Sequence, residues 1–133
     1  MQKNRLAAIG AFNGDWSEFG AREGGVEMLS QQGNLDEGAT VSIAVELTAG
    51  QRYVFEAKCD GDCTDLDLVL HDAADAEVVS DELLDALPLV EYTSGVGGGY
   101  RLDVRMVACS IEPCGYKVVG SAMGAAEPPD SVQ

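Results

Sequence analysis

The sequence predicts an all-β protein: a jelly-roll-like antiparallel β-sandwich preceded by a loosely structured N-terminal arm. Three observations predict it. From residue 40 onward, apolar side chains recur at every second position in short runs, the period that turns one face of a strand toward a core. Gly, Pro and Asp clusters that favour turns separate these runs. No stretch carries the spacing of an amphipathic helix, and no strand–helix–strand alternation is visible.

Residues 1–38 read as the arm. Between Trp16 and Gln32 the chain is rich in Glu, Gln and Gly, and Phe19, Val26, Met28 and Leu29 fit no period. Gly20, Gly24, Gly25 and Gly33 disfavour a long helix there, leaving one or two short elements, among them an edge strand around Gly25–Leu29. The sandwich core is expected over residues 39–122. Val41, Ile43, Val45 and Leu47 alternate with Ser42, Ala44, Glu46 and Thr48, and Ala49-Gly50-Gln51 makes a tight connection. Tyr53, Phe55 and Ala57 mark the next strand, and Leu66, Leu68 and Leu70 the one after. Asp72 to Asp75 is a turn, Glu77–Ser80 a short strand, and Leu89–Thr93 another that starts after Pro88. A glycine-rich loop over Ser94–Gly99 leads into the longest alternation, Tyr100, Leu102, Val104, Met106 and Ala108. Tyr116, Val118 and Gly120 form the last strand, and residues 123–133, with Glu127-Pro128-Pro129-Asp130, read as a flexible tail.

Composition narrows the function. A 133-residue chain with 46% hydrophobic residues can bury a core as one domain. Its 23 acidic against 8 basic residues give a formal charge of −15. That field repels nucleic-acid phosphates and anionic headgroups, so neither is expected as a partner, and no segment is long enough to span a bilayer. Calcium, a basic protein or plain solubility match it better.

Four cysteines stand as Cys59-x3-Cys63 and Cys109-x4-Cys114. Neither spacing is the tight knuckle of a structural zinc site, so disulfides formed in an oxidising compartment are the expectation. The two local pairings are favoured, because Asp60-Gly61-Asp62 and Ser110-Ile111-Glu112-Pro113 both form turns; pairing across strands stays open. The apolar stretch Leu6–Phe12 behind Lys3 and Arg5 is too short and too broken by Gly10 for an export signal. The expectation of an extracytoplasmic location therefore rests on the cysteines.

Three stretches, taken together, carry a family likeness: LTAGQRYVFEA from Leu47, DLDLVLHDA from Asp65, and GGYRLDVR from Gly98. In order and spacing they resemble the bacterial pre-peptidase C-terminal domain, similar to the collagenase-type accessory β-sandwich, over about residues 40–120. The resemblance implies a jelly-roll-like, non-catalytic accessory domain outside the cytoplasm, serving binding, adhesion or export. Related collagen-binding domains use calcium. This chain departs from the pattern in its N-terminal arm, in Ala73-Ala74-Asp75-Ala76 where a turn glycine is common, and in its cysteine pairs.

No catalytic signature is present. His71, the sole histidine, lies on the polar side of its strand beside Asp72, with no nucleophile–base pattern nearby. The acidic cluster is the stronger candidate site. Twelve of the 23 acids fall between Glu56 and Glu91, where Lys58 is the only Lys or Arg. Asp60, Asp62, Asp65 and Asp67 lie within eight residues, a density of oxygens that suits calcium, although the order is not that of an EF-hand. Asp65 and Asp67 flank Leu66 and share one strand face, and Asp81, Glu82 and Asp85 form a second acidic patch. The plainer reading makes these aspartates turn caps on a soluble loop. The function expected is an exported binding or adhesion module for a protein or polysaccharide target, with calcium as the one conceivable cofactor. The alternative is a structural subunit of an extracellular assembly or fibre, its N-terminal arm adding a strand to a neighbour's open edge.

Overall fold

Wherever the sequence alternates, the chain runs as a strand. The computed structural model describes residues 19–125, and eight strands carry them. These are β1 (Val26–Leu35), β2 (Thr40–Leu47), β3 (Gln51–Cys59), β4 (Cys63–His71), β5 (Glu77–Asp81), β6 (Leu89–Thr93), β7 (Gly98–Cys109) and β8 (Cys114–Ala125). One sheet has the order β1-β8-β3-β6 and the other β2-β7-β4-β5, and all pairs are antiparallel. First thus pairs with last, second with seventh, third with sixth and fourth with fifth. This is an antiparallel ribbon wrapped over itself into two sheets, the jelly-roll-like arrangement expected.

The predicted alternating residues make the core. Tyr53, Phe55, Ala57, Tyr116 and Val118 from one sheet meet Ile43, Val45, Leu66, Leu68, Leu70, Leu102, Val104 and Met106 from the other. The six of these from β4 and β7, together with Phe55 and Val118, are completely shielded from water, so the centre lies between β3–β8 and β4–β7.

Three elements differ from expectation in extent. β1 covers ten residues rather than a short segment ending at Leu29, paired along β8 from Val26↔Ala122 to Leu35↔Cys114. A bulge between Glu27 and Leu29 breaks its period, and as an edge strand it buries Met28, Leu29 and Leu35 only partly. β8 extends past Gly120 to Ala125, because Ser121 and its neighbours still have partners on both sides. β7 begins inside the expected glycine loop, at Gly98. Residues 19–25 lie against the outer face of the first sheet: the Arg22 amide donates to Ser121 Oγ at 2.8 Å, and Lys58 Nζ sits 5.5 Å from the Phe19 ring centre. Since β1 is used within its own sheet, strand donation by the arm would fall to residues before 19, which lie outside the described residues, as does most of the expected tail.

The turn after β4 takes the conformation that a glycine would favour, without one. Asp75 has φ 72°, and Asp72 Oδ1 accepts from the amides of Ala74 and Ala76 at 2.9 Å each. Aspartate tolerates the left-handed region better than most residues, and the side-chain cap from Asp72 holds the turn closed.

Candidate functional site

The two cysteine pairs are both disulfides, Cys59–Cys63 with Cα atoms 5.9 Å apart and Cys109–Cys114 with Cα atoms 6.0 Å apart. Each closes a turn that carries the chain from one sheet to the other, β3 to β4 and β7 to β8, and the two turns lie side by side at one end of the sandwich. Asp60 links them: Oδ1 accepts from the Asp62 amide at 3.1 Å, and Oδ2 from the Gly115 amide at 2.8 Å. Ser110 donates its amide and its hydroxyl to the Asp62 carbonyl. The β1–β2 connection joins the same end, with Glu37 Oε1 accepting from the Cys109 amide at 2.9 Å. Asp60 therefore acts as a turn cap, with both its oxygens engaged.

Asp65 and Asp67 are placed differently. Alternation with Leu66 and Leu68 turns both onto the outer face of β4, yet they are only 7% and 8% exposed. The Oδ1 atom of each is buried without a hydrogen-bond partner. Burial raises Asp67 to about 6, helped by the Asp65, Glu82 and Asp81 carboxylates and opposed by the Arg105 guanidinium across the strand pair. The four aspartates of the sequence cluster thus separate into a turn cap, a loop residue and a pair on the sheet face. Among the described residues, no three or more His, Cys, Asp or Glu side chains are gathered closely enough to hold a metal ion. What the pair offers a cation is two orphaned oxygens, a smaller donor set than the loop suggested.

This pair makes a pH prediction. Because Asp67's folded value lies above its unfolded one, the folded state holds that proton more tightly. The contribution is full below about pH 3.8, the unfolded value, and is lost as pH rises through about 6. In chelator, Asp67→Asn is expected to raise stability at pH 7.5 by about 1 kcal/mol and to leave it unchanged near pH 4. Thermal melts of both proteins at the two pH values check it; a variant less stable at pH 7.5 contradicts it.

Further along the same face, His71 Nε2 lies 3.3 Å from Asp103 Oδ2. Asp103 Oδ1 also accepts from Ser42 Oγ at 2.7 Å and from Arg101 Nε at 3.1 Å. His71 is accordingly one member of a cross-strand polar network spanning β2, β7 and β4, and among the described residues no serine or cysteine nucleophile is bonded to it.

The opposite end carries a cleft that the sequence reading did not identify. About 350 Å³ in volume, it lies between the Asp72–Ala74 turn, Tyr92 and the Ser94–Tyr100 loop. The Tyr92 and Tyr100 rings are tilted with centres 5.9 Å apart, and burial together with Tyr100 raises the Tyr92 hydroxyl above its usual range. The loop is braced from within: Tyr100 Oη donates to the Val96 carbonyl at 2.8 Å, and the Val96 amide donates to Ser94 Oγ at 2.9 Å. The one available signal was two tyrosines flanking Ser-Gly-Val-Gly-Gly-Gly, but the Asp72 turn that completes the cleft is distant in sequence.

No family model matches the chain, and no curated protein matches it. Solved structures share its fold, among them the following two. Aeromonas hydrophila PliG, a periplasmic lysozyme inhibitor of g-type lysozyme, has 12% identity and a TM-score of 0.52, over 77% of this chain and 95% of that one. The pre-peptidase C-terminal domain of collagenase from Bacillus anthracis has 13% identity and a TM-score of 0.56, over 76% of this chain and 90% of that one. The likeness read from the LTAGQRY, DLDLVL and GGYRLDV stretches is therefore present as a shared fold, and the chain is similar to the pre-peptidase C-terminal domain in its β-sandwich.

Proposed function

We propose that this chain is an exported, non-catalytic binding module whose target is a basic protein. The observation that carries this reading is the pair of disulfides stiffening one end of a strongly acidic sandwich. Disulfides persist in oxidising compartments, and a charge of −15 attracts basic surfaces and speeds their encounter. The fold is shared with an accessory domain of a collagenase and with an inhibitor of a lysozyme, neither named for a catalytic activity of its own. Among the described residues, no helix is long and apolar enough to cross a membrane.

A panel of basic proteins at physiological salt, with g-type lysozyme as its first member and acidic proteins of similar size as controls, tests the reading. Binding by calorimetry to at least one basic member, weakening as salt rises, is the expected result. A panel on which basic and acidic members behave alike would remove it. Export is tested separately: alkylation of native protein followed by mass spectrometry should find no reactive thiol, and four alkylated cysteines would overturn it.

Calcium stabilisation is a second reading, favoured by the orphaned oxygens of Asp65 and Asp67. Water and backbone carbonyls would complete the coordination that two carboxylates begin. Calcium at a hundredfold excess over its dissociation constant should stabilise the protein by about 2.7 kcal/mol relative to chelator, and Asp67→Asn should lose that response. Identical melts in calcium and chelator leave Asp65 and Asp67 as a buried acidic pair alone.

A further inference from the structure

Among the described residues, the β5–β6 connection, residues 82–88, holds three of the exposed large apolar side chains within five positions. Leu83, Leu84 and Leu87 are 69%, 88% and 66% exposed. Scattered surface leucines need no explanation, but three within five residues form a patch that a soluble chain usually buries or uses.

The backbone beneath them is fixed. Asp81 Oδ1 accepts from the Leu83 amide at 3.2 Å and Oδ2 from the Leu89 amide at 2.9 Å, while Asp85 Oδ1 accepts from the Leu87 amide at 3.1 Å. The connection is also tied to both sheets. The Leu66 amide of β4 donates to the Asp85 carbonyl at 2.9 Å, and the Ala57 amide of β3 donates to the Pro88 carbonyl at 3.2 Å. Pro88 itself is fully buried. The leucines are thus displayed on a pinned loop, and a partner that covered them would face a small ordering cost.

The charge around the patch selects the partner. Asp81, Glu82 and Asp85 lie within the connection and its entry, Asp65 and Asp67 on the strand beside it, in the segment where Lys58 is the only Lys or Arg. A second copy of the chain would bring two acidic rims together, and an anionic membrane surface would repel them. A protein with an apolar depression ringed by Lys or Arg complements both features.

We propose that Leu83, Leu84 and Leu87 form the docking surface of this chain, entering an apolar depression with a basic rim on a partner protein. The proposal rests on the reading of the chain as a binder of basic proteins and names the face it uses.

A synthetic amphipathic peptide of lysine and leucine serves as the probe, with a glutamate–leucine peptide of the same apolar face as control. The intact chain should bind the first and not the second. Leu83→Ser/Leu84→Ser/Leu87→Ser, whose side chains are exposed and whose backbone caps are untouched, should melt as the parent does and bind about tenfold or more weakly. Val96→Ser, at the tip of the distant cleft loop, should bind as the parent does. Equal binding by the triple variant overturns the docking surface while leaving the basic-protein reading standing. No binding of the lysine peptide by the intact chain also overturns the docking surface, and the basic-protein panel then decides the broader reading on its own. Loss of a parental dimer in the triple variant, or leucine-dependent binding to phosphatidylglycerol vesicles, would assign the patch to self-association or to membrane instead and likewise overturn it.

Discussion

Phe55→Ala is expected to cost about 3–5 kcal/mol, and Gly120→Ala about 1–3 kcal/mol, with the double variant costing clearly less than the sum. Phe55 is wholly shielded from water in the first sheet, stacked near Tyr53 with ring centres 6.2 Å apart. Directly across the strand pair stands Gly120. A Cβ built on Gly120 would lie 2.7 Å from Phe55 Cε1 and 2.8 Å from Cδ1, closer than real carbon atoms approach, and 2.7 Å from Met28 Sδ. Glycine at 120 is thus the space into which the phenyl ring fits. Removing the ring leaves a cavity; adding the methyl to intact protein drives ring and strand apart. In the absence of the ring the methyl occupies part of the cavity, which is why the two costs should not add. Urea unfolding of the four proteins measures the coupling. Additive costs would mean that ring and glycine do not share the space.

How legible this arrangement was depends on which face a residue occupies. Val41 to Leu47, Leu66 to Leu70 and Tyr100 to Met106 could be placed from the sequence because a half-buried strand imposes a period of two. Only the start of β1 was legible, because its bulge between Glu27 and Leu29 shifts the period near the beginning, and because an edge strand with Gln31, Gln32 and Asn34 need not be apolar. Gly120 was legible as a strand residue and not as the seat of Phe55, since cross-strand register is a property of the fold. The site divides in the same way. Cys59 with Cys63 and Cys109 with Cys114 were readable because a short turn brings their ends together whatever the rest does. The shared face of Asp65 and Asp67 followed from their two-residue spacing, whereas the separation of Asp60 from that pair came from Gly115, fifty-five residues away. Leu83, Leu84 and Leu87 resemble core residues in sequence, and only the path of the loop from β5 to β6 turns them outward.

Reducing both disulfides is the perturbation with the other large expected effect, about 4 kcal/mol in total. Each bond closes a loop only four or five positions long. In the chain-entropy account so short a loop is worth about 2 kcal/mol. That is a sizeable share of the roughly 5–15 kcal/mol that separates a folded domain from its unfolded chain. The bonds should also interact. Asp60, between Cys59 and Cys63, reaches Gly115 beside Cys114, and Ser110, between Cys109 and Cys114, reaches the Asp62 carbonyl. Releasing one turn therefore loosens the hydrogen bonds that position the other, and Cys59→Ala/Cys63→Ala combined with Cys109→Ala/Cys114→Ala should differ from the sum of the pairs by about 0.5 kcal/mol or more. Denaturant unfolding of the four proteins, with reduced and alkylated parent alongside, gives both quantities. A parent that loses less than about 1 kcal/mol on reduction would show that the backbone hydrogen bonds alone hold this end.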